Sequence, residues 1–447
     1  MSTNKKYYKR AIQMAWPSVL ESFFVALAGM IDTIMVGSLG SFAIAAVGLT
    51  TQPKFIGMTA FFAINIAVSA LVARRLGERD KRGANTVFHT AALLTIGLTI
   101  LISFIMVYFS DSFMRWAGSN NETHQSAVVY FRIIMGGMIF NVVAMVINTA
   151  QRGAGNTQIA FVTNLTSSIV NIVANYILIN GKLGFPALGV QGAAIATVFG
   201  TVVAMLMSIA SLFKKDSSIQ IKYIISEKIK FSMAALKSIA KLGSNLFLEN
   251  IAVRIGFLAT ALTAAKLGTD TFAVHMAGMN ILSLGFSFGD GMQVAAVALT
   301  GRALGGNNKD EAFTYGHVVQ RIGFIISIAL SIFLLIFGPN IMGLYFDDPQ
   351  VINLGVYILR YTMIIVLLQI SQIIYGGALR SGGDVKYTLV VGIVAVTLIR
   401  TAVTLVAVHV FELGLTGIWL GILADQLTRF ILLRHRFNTG KWTEIKI

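Results

Sequence analysis

The sequence contains no cysteine, and that absence excludes disulfide bonds, thiolate metal ligands and cysteine nucleophiles. Charged residues are also scarce, at 12%, whereas soluble domains usually carry roughly 25%. Proline is limited to five residues while glycine reaches 42, a composition that suits closely packed membrane helices. With 56% hydrophobic residues and a mean hydropathy of +0.76, the chain is expected to be a multi-pass membrane protein.

Acidic residues are few relative to basic residues, and the formal net charge is +16. An excess of this size can indicate nucleic-acid binding. Here the basic residues lie in short loops between apolar runs, so no nucleic-acid partner is expected. We recognise no phosphate-binding loop, zinc-binding helix motif or Ser-His-Asp arrangement, and therefore predict a protein that is not an enzyme and has no resident cofactor. His89 and His317 are interpreted as residues of the membrane interface rather than metal ligands.

The two halves of the chain are copies of one another, offset by 228 residues. Matching charged or polar residues include Glu21 with Glu249, His89 with His317, and Arg152 with Arg380. After a loss of three residues, Leu188–Gly192 aligns with Leu413–Gly417. Duplication of an apolar chain is typical of transporters, in which the substrate path lies between the repeats.

Twelve apolar runs, six in each repeat, are each close to the ~20 residues that cross a bilayer. They centre on Val25, Ile64, Ile100, Met138, Val170, Val202, Ile255, Leu284, Ile328, Leu367, Val394 and Leu423. An even number of spans gives both repeats the same orientation. We therefore predict an all-α membrane protein with an N-lobe over residues 1–213, a cytoplasmic linker over 214–235 and a C-lobe over 236–447.

Basic residues concentrate at both termini and in the even-numbered loops. The second loop carries Arg74, Arg75, Arg79, Lys81 and Arg82, whereas loops 38–43 and 338–350 contain no Lys or Arg. Because cytoplasmic loops are enriched in these residues, both termini are predicted to be cytoplasmic, with the chain in the inner membrane. The linker is interpreted as a tether whose lysines reach the interface, with an interfacial amphipathic helix as the alternative.

Carboxylates within the apolar runs are the strongest functional signals, because an acid at mid-bilayer costs about 3 kcal/mol. Span 1 contains Glu21 and Asp32, whose spacing places them on one face of a helix about three turns apart. Asp32 has no acidic mate in the second repeat, where position 260 is Thr. A structural salt bridge is the alternative interpretation of Asp32.

Amide and hydroxyl groups on spans 5 and 6 form a second signal. Asn171 and Asn175 lie one turn apart on span 5, and Thr197 follows Ala193 by one turn on span 6. Side-chain amides and a backbone carbonyl can bind a hard cation without adding charge. Hydrogen bonds between helices are the alternative, since Asn and Thr form them routinely.

The second repeat contains further polar residues within its spans. Glu249, Arg254 and Arg400 are interpreted as possible partners, because a lone buried charge is unstable. The additional candidates are Gln369 and Gln372 on span 10, Asp290 and Gln293 on span 8, and Lys54 on span 2. Asp425 and Arg429 can satisfy each other and are interpreted as structural. Glu21 and Glu249 are predicted to line a cleft between the lobes, and the substrate-cleft prediction also includes Arg254, Gln369, Gln372 and Arg400.

Several runs resemble the multidrug and toxic compound extrusion (MATE) family, and the resemblance covers essentially the whole chain. They are Trp16-Pro17, Gly29–Gly37, Arg152–Thr157 and Leu188–Thr197. The resemblance implies a V-shaped pair of six-helix lobes and the export of drugs in exchange for protons or sodium ions. It also implies an N-lobe cation site formed by Asp32, Asn171, Asn175, Thr197 and the carbonyl of Ala193, and it matches Glu249 to an acid used in some branches.

Two departures from the family pattern concern the coupling ion. Position 175 is Asn where some members have Asp, and span 10 has Gln369 and Gln372 where one branch has an acid. The missing acid weakens a sodium site at Asp32, Asn171, Asn175 and Thr197, so protons are favoured, with sodium left open. We expect a monomer in the lipid bilayer that transports cationic or amphipathic drugs.

Other functions remain as alternatives to drug export. A flippase for lipids or lipid-linked saccharides would belong to the same superfamily, but large anionic head groups favour a basic cavity. A membrane enzyme would need a nucleophile or a cluster of bases at one membrane face, and none is evident in the sequence. A passive channel rarely needs two unequal lobes that contain titratable acids.

Overall fold

The computed structural model describes residues 2–39, 41–117, 119, 121–214, 217–265, 267, 269–343, 346 and 348–445. Within these ranges the chain is helical and contains no strand, as predicted. The first half contains α1 (Ser2–Gly37), α2 (Ser41–Gly77), α3 (Lys81–Tyr108), α4 (Ser110–Trp116), α5 (His124–Gly136), α6 (Met138–Gly153), α7 (Thr157–Asn180), α8 (Gly189–Ser211) and α9 (Ile221–Ser226). The second half contains α10 (Met233–Ala265), α11 (Thr269–Gly305), α12 (Lys309–Gly343), α13 (Pro349–Ser381), α14 (Val385–Gly392), a π-helix (Ile393–Arg400), α15 (Thr401–His409), α16 (Gly414–Asn438) and a 3₁₀-helix (Lys441–Glu444).

The helices are long and apolar enough for a multi-pass membrane protein. Within the described ranges, ten helices satisfy the length and hydropathy needed to cross a bilayer. Helices α5 and α6 meet at a bend of 45° and make an eleventh span if they are counted as one. Helix α10, which contains the predicted span around residue 255, is not among them and carries Glu249 and Arg254. The count of twelve therefore stays a prediction.

The chain folds into two compact units. The N unit consists of Leu20–Gly243, and the C unit consists of Met1–Val19 together with Ser244–Ile447. These boundaries differ from the predicted lobes because α1 and α10, which are repeat mates, each begin in one unit and continue in the other. Both helices exceed 30 residues, whereas a span requires ~20, so the extra turns at their starts can pack elsewhere.

The start of α1 is held in the C unit by aromatic and polar contacts to α12. The ring of Tyr7 packs edge-on against Tyr315 with centroids 5.0 Å apart. The guanidinium of Arg10 donates a hydrogen bond to the Tyr315 hydroxyl at 3.4 Å. Further along α1, Ala11 and Ala15 are buried in the same hydrophobic core. Small residues on this face of α1 let it lie close to the C-unit helices.

The π-helix places a charged residue in the core of the C unit. It joins α14 to α15 and ends at Arg400, whose side chain is only 1% exposed. Trp419 on the adjacent α16 is fully buried in the same unit. Because π-helical turns are rare and often lie at functional positions, this interruption makes Arg400 a candidate for a special role.

Helices α7 and α8 carry four of the predicted cation-binding residues and pack closely against each other. The Ser167 hydroxyl on α7 donates a hydrogen bond to the backbone carbonyl of Gly200 on α8, at 2.7 Å. A methyl group at Gly200 would lie 2.9 Å from the carbonyl oxygen of Ser167 and 3.2 Å from Cβ of Asn171. Glycine at position 200 therefore allows the backbone approach that brings Asn171 next to Thr197.

We expect Gly200→Ala to lower the free energy of unfolding by about 1–3 kcal/mol, because the added methyl overpacks the contact between α7 and α8. Gly97→Ala on α3 is the matched control, since a methyl there has no neighbour within 4 Å. Thermal unfolding of the purified protein in detergent measures both variants. A Gly200→Ala protein as stable as the wild type would contradict the close approach.

Candidate functional site

Asp32 lies in the last third of α1 and is bound by a side chain of α7. The side-chain amide of Asn175 donates a hydrogen bond to the Asp32 carboxylate. Asn175 is fully buried, and its amide oxygen has no hydrogen-bond partner among the residues that the structure describes. The Asp32 carboxylate therefore has a neutral hydrogen-bond donor beside it. The amide oxygen of the same Asn175 side chain remains available as an acceptor.

One turn earlier on α7, Asn171 faces α8. Its side-chain amide donates a hydrogen bond to the Thr197 hydroxyl at 3.2 Å, and that hydroxyl donates to the carbonyl of Ala193 at 2.9 Å. The structure thus links Asn171, Thr197 and Ala193 in one chain of hydrogen bonds beside the Asp32–Asn175 pair. We call these five residues the Asp32 cluster.

Two further residues lie around the Asp32 cluster. The phenol of Tyr130 on α5 interacts with Thr197 and lies within electrostatic range of Asp32. The ammonium of Lys54 on α2 is also within electrostatic range of Asp32. From the sequence, Lys54 was only an additional polar candidate, and Tyr130 was not predicted.

A comparison of the two repeats would have identified both residues. At an offset of 228, Tyr130 corresponds to Ile358 and Lys54 corresponds to Leu282. Each polar residue near Asp32 is therefore replaced by an apolar one in the second repeat. A polar residue whose repeat mate is apolar indicates a function specific to one half. It can be recognised only when the two repeats are aligned.

The composition of the Asp32 cluster limits the ion that it can hold. It offers one carboxylate, two side-chain amides, a hydroxyl and a backbone carbonyl. Across the described part of the chain, no three His, Cys, Asp or Glu residues are grouped as a metal site. Divalent cations such as calcium usually take more carboxylates, so these ligands suit a proton or a monovalent cation.

Glu21 and Glu249 each form an ion pair within their own unit, in the same way in both repeats. Glu21 in the N unit accepts hydrogen bonds from the guanidinium of Arg152 and from Asn164. Glu249 in the C unit accepts a hydrogen bond from the guanidinium of Arg380. Because these arginines are themselves repeat mates, the duplication preserves the whole ion pair. Their placement in a cleft between lobes stays a prediction.

The partner of Glu249 differs from the one considered in the sequence analysis. The expected partners were Arg254 and Arg400, but Arg380 lies beside the carboxylate and Thr388 donates a second hydrogen bond to it at 3.1 Å. Arg380 lies at the end of α13 and Thr388 on α14, so both helices contribute a donor to Glu249 of α10. Arg254 is exposed on α10.

Arg400 instead belongs to a buried charge cluster in the core of the C unit. Its guanidinium lies 3.5 Å from the Asp425 carboxylate, and Nε donates to the Thr260 hydroxyl at 3.0 Å. Asp425 is fully buried and also pairs with Arg429 at 2.7 Å. The predicted Asp425–Arg429 pair is therefore part of a larger cluster that also contains Arg400. The single carboxylate of Asp425 lies between two guanidinium groups and balances the charge of one.

Gln369 and Gln372 lie inside the C unit on α13. Gln369 is fully buried, and neither atom of its amide group has a hydrogen-bond partner among the described residues. Gln372 is 4% exposed and donates to Gln426 at 3.4 Å. The structure therefore joins Gln372 to α16 but does not bring either glutamine to a described cavity.

The two units place opposite charges at corresponding positions. Thr260 is the repeat mate of Asp32, and it accepts a hydrogen bond from Arg400 where Asp32 accepts one from Asn175. The N unit thus has a carboxylate beside a neutral amide. The C unit has a neutral hydroxyl beside a guanidinium, which is a permanently attached cation.

The sequence and the structure both match known proteins. The family model described as MatE matches residues 17–177 and, a second time, residues 246–406. The chain belongs to the MATE family. The double match also agrees with the repeat found in the sequence, since one family model fits both halves at nearly the predicted offset.

Relatives of this MATE protein align over almost its whole length. A probable multidrug resistance protein NorM of Thermotoga maritima is 26% identical, with 97% of this chain and 93% of the relative covered. A probable NorM of Bacillus subtilis is 27% identical over 93% and 92% of the two chains. An outward-facing multidrug resistance MATE transporter of the MOP superfamily has a TM-score of 0.89 and 28% identity, with 97% of each chain covered. Its relatives are transporters, which supports a role other than catalysis.

We expect Asp425→Asn in this MATE protein to cost about 3–5 kcal/mol of stability, because it leaves two guanidinium groups in the C-unit core without their carboxylate. The matched control is Glu444→Gln, which removes an exposed pair with Lys309 and should leave the unfolding temperature unchanged. Thermal unfolding in detergent measures both. If the two variants unfold at the same temperature, Asp425 does not hold the cluster together.

Proposed function

We propose that this MATE-family protein exports cationic or amphipathic drugs in exchange for protons, with Asp32 as the coupling carboxylate. The observation that carries the proposal is the Asp32 cluster in the N unit. The amide of Asn175 binds the acid, and Asn171, one turn earlier on α7, is hydrogen-bonded to Thr197 and through it to the carbonyl of Ala193. The names of the relatives, which are multidrug resistance proteins, support drugs as the substrate class. The alternation of basic loops supports a multi-pass protein with both termini in the cytoplasm.

Exchange follows from competition between two charge states of the N unit. When Asp32 is ionised, the Asp32 cluster carries a negative charge that favours an organic cation. When a coupling cation neutralises Asp32, that attraction is lost and the drug is released. A ligand shifts the equilibrium between inward-open and outward-open states only through its different affinity for the two states. The coupling ion and the drug therefore drive the transporter in opposite directions.

The ligands of the Asp32 cluster favour protons over sodium as the coupling ion. Sodium binds by electrostatics alone and requires several oxygen atoms, whereas a proton needs only the carboxylate. Asn175 supplies a neutral amide and uses its N–H to hydrogen-bond Asp32. The Lys54 ammonium repels either cation, so it does not distinguish sodium from a proton.

We expect Asp32→Asn to abolish drug transport driven by a pH gradient in proteoliposomes, because the variant has no carboxylate to titrate. Uptake of a fluorescent organic cation, with sodium absent, measures this activity. Asp310→Asn in the first turn of α12 is the matched control, since Asp310 is exposed and should leave transport unchanged. Wild-type transport by Asp32→Asn would refute the assignment.

The same vesicles distinguish the two coupling ions. An imposed pH gradient should drive transport by the wild type without sodium. Transport that requires a sodium gradient and ignores pH would refute proton coupling. Loss of that sodium-driven transport in Asp32→Asn would still assign the ion site to Asp32.

We expect Lys54→Leu, which copies Leu282 of the second repeat, to tighten binding of the coupling cation. Removing the ammonium removes its repulsion of a cation at Asp32, so half-maximal transport should occur at a severalfold lower proton concentration. Lys54→Arg retains the positive charge and serves as the control. A proton dependence that is identical in Lys54→Leu, Lys54→Arg and the wild type would show that Lys54 does not act on Asp32.

A further inference from the structure

The C unit has an open groove between α12, α13 and α16, with a volume of about 560 Å³. Two arginines and a histidine lie along it, namely Arg321, Arg434 and His317. Apolar residues that include Phe324 and Ile364 line the remaining wall. No Asp or Glu is among its described lining residues, so the groove is positively charged as well as apolar.

The groove runs from one face of the membrane toward its middle. Helix α12 begins, and helices α13 and α16 end, on the face that the basic loops predict to be cytoplasmic. Arg434 lies one turn from the end of α16. Ile364 lies about 26 Å from the end of α13, at 1.5 Å per residue. The basic residues therefore lie nearer the membrane surface, and the apolar wall extends toward the hydrocarbon.

The corresponding groove of the N unit is smaller and apolar. Its volume is about 190 Å³, and it is lined by residues that match the C-unit groove, among them His89 for His317 and Ile96 for Phe324. The positions of Arg321 and Arg434 are taken by Leu93 and Ile209 in the first repeat. The duplication therefore produced one apolar groove and one basic groove from the same helical frame.

The linker between the repeats forms one wall of the N-unit groove. Ile221 and Ile224 of α9 form part of its lining, and Ile224 is buried. The segment is fixed to α3, since Asn85 donates to the carbonyl of Ser218 at 3.0 Å and accepts a bond from the backbone N–H of Gln220 at 3.1 Å. This segment is docked on the N unit and is not a free tether. Its isoleucines cover part of the apolar surface of the N unit.

The arginines of the C-unit groove have no acidic partner within the described ranges of the chain. Arg321 lies 3.5 Å from the Tyr8 hydroxyl, to which it donates a hydrogen bond. The guanidinium of Arg434 lies over the ring of Phe430, 5.6 Å from its centroid. Both guanidinium groups are exposed and can bind an anion, and guanidinium binds phosphate oxygens in a bidentate manner.

We propose that this groove binds one anionic phospholipid, with its phosphate between Arg321 and Arg434 and an acyl chain along Phe324 and Ile364. Basic pockets between membrane helices on the cytoplasmic side suit anionic head groups. A cationic drug is disfavoured because two guanidinium groups would repel it. A free phosphate ion would leave the apolar wall without a ligand, whereas an acyl chain covers it and reproduces the role of the linker isoleucines in the N unit.

The test compares delipidated wild-type protein with the double variant Arg321→Leu and Arg434→Ile, which restores the residues of the first repeat. Native mass spectrometry measures the binding of phosphatidylglycerol and of phosphatidylcholine with the same acyl chains. We expect the wild type to prefer phosphatidylglycerol and the double variant to bind it about thirtyfold more weakly, because two surface arginine contacts are lost. Binding of phosphatidylcholine should not change.

Two further variants keep the test independent of folding and of total charge. Arg321→Lys with Arg434→Lys retains both charges and should keep most of the preference. Lys222→Leu with Lys230→Ile removes two exposed charges from the linker and should bind phosphatidylglycerol like the wild type. Equal binding of the two lipids by the wild type, or an equal loss in the linker variant, would overturn the proposal. Displacement of phosphatidylglycerol by millimolar inorganic phosphate would assign the groove to a soluble anion instead.

Discussion

The hydrogen bond from Asn175 to the Asp32 carboxylate is the interaction on which the rest of the N unit depends. A carboxylate inside a membrane-spanning helix is stable only where donors or opposite charges replace the water that it has lost. Asn175 supplies such a donor from α7, and the same helix packs closely on α8 where Gly200 leaves room for it. The hydrogen bond from Asn175 stabilises the Asp32 carboxylate within the membrane. Because the amide is neutral, Asp32 can still bind and release a proton.

The two units share the arrangement of helices that the duplication produced, but they differ in the charged and polar residues of their interiors. The ion pairs of Glu21 and Glu249 recur in both units, which indicates a shared structural role near the start of each repeat. The interiors differ, because the Asp32 cluster has no acidic counterpart and Arg400 supplies a fixed cation beside Thr260. One unit can therefore respond to an external cation, whereas the other carries its own positive charge and is expected to stay electrostatically constant.

Much of this arrangement could be predicted from the sequence because polar residues within apolar runs are rare. The helical class and the grouping of Asp32 with Asn175 followed from hydropathy, helical periodicity and the family resemblance. The unit boundaries did not, since hydropathy locates a span but not the packing of the turns beyond it. The partner of Glu249 was also missed, because Arg380 lies outside the apolar run and only the fold brings it back to α10.

The central claim is that the protein has one exchangeable cation site, at Asp32, because Arg400 occupies the corresponding place in the C unit. Proton release on drug binding tests it most directly, measured with a pH indicator in weakly buffered detergent solution. We expect about one proton to be released per bound drug molecule in the wild type, and none in Asp32→Asn. Release of two protons by the wild type, or any release by Asp32→Asn, would contradict it.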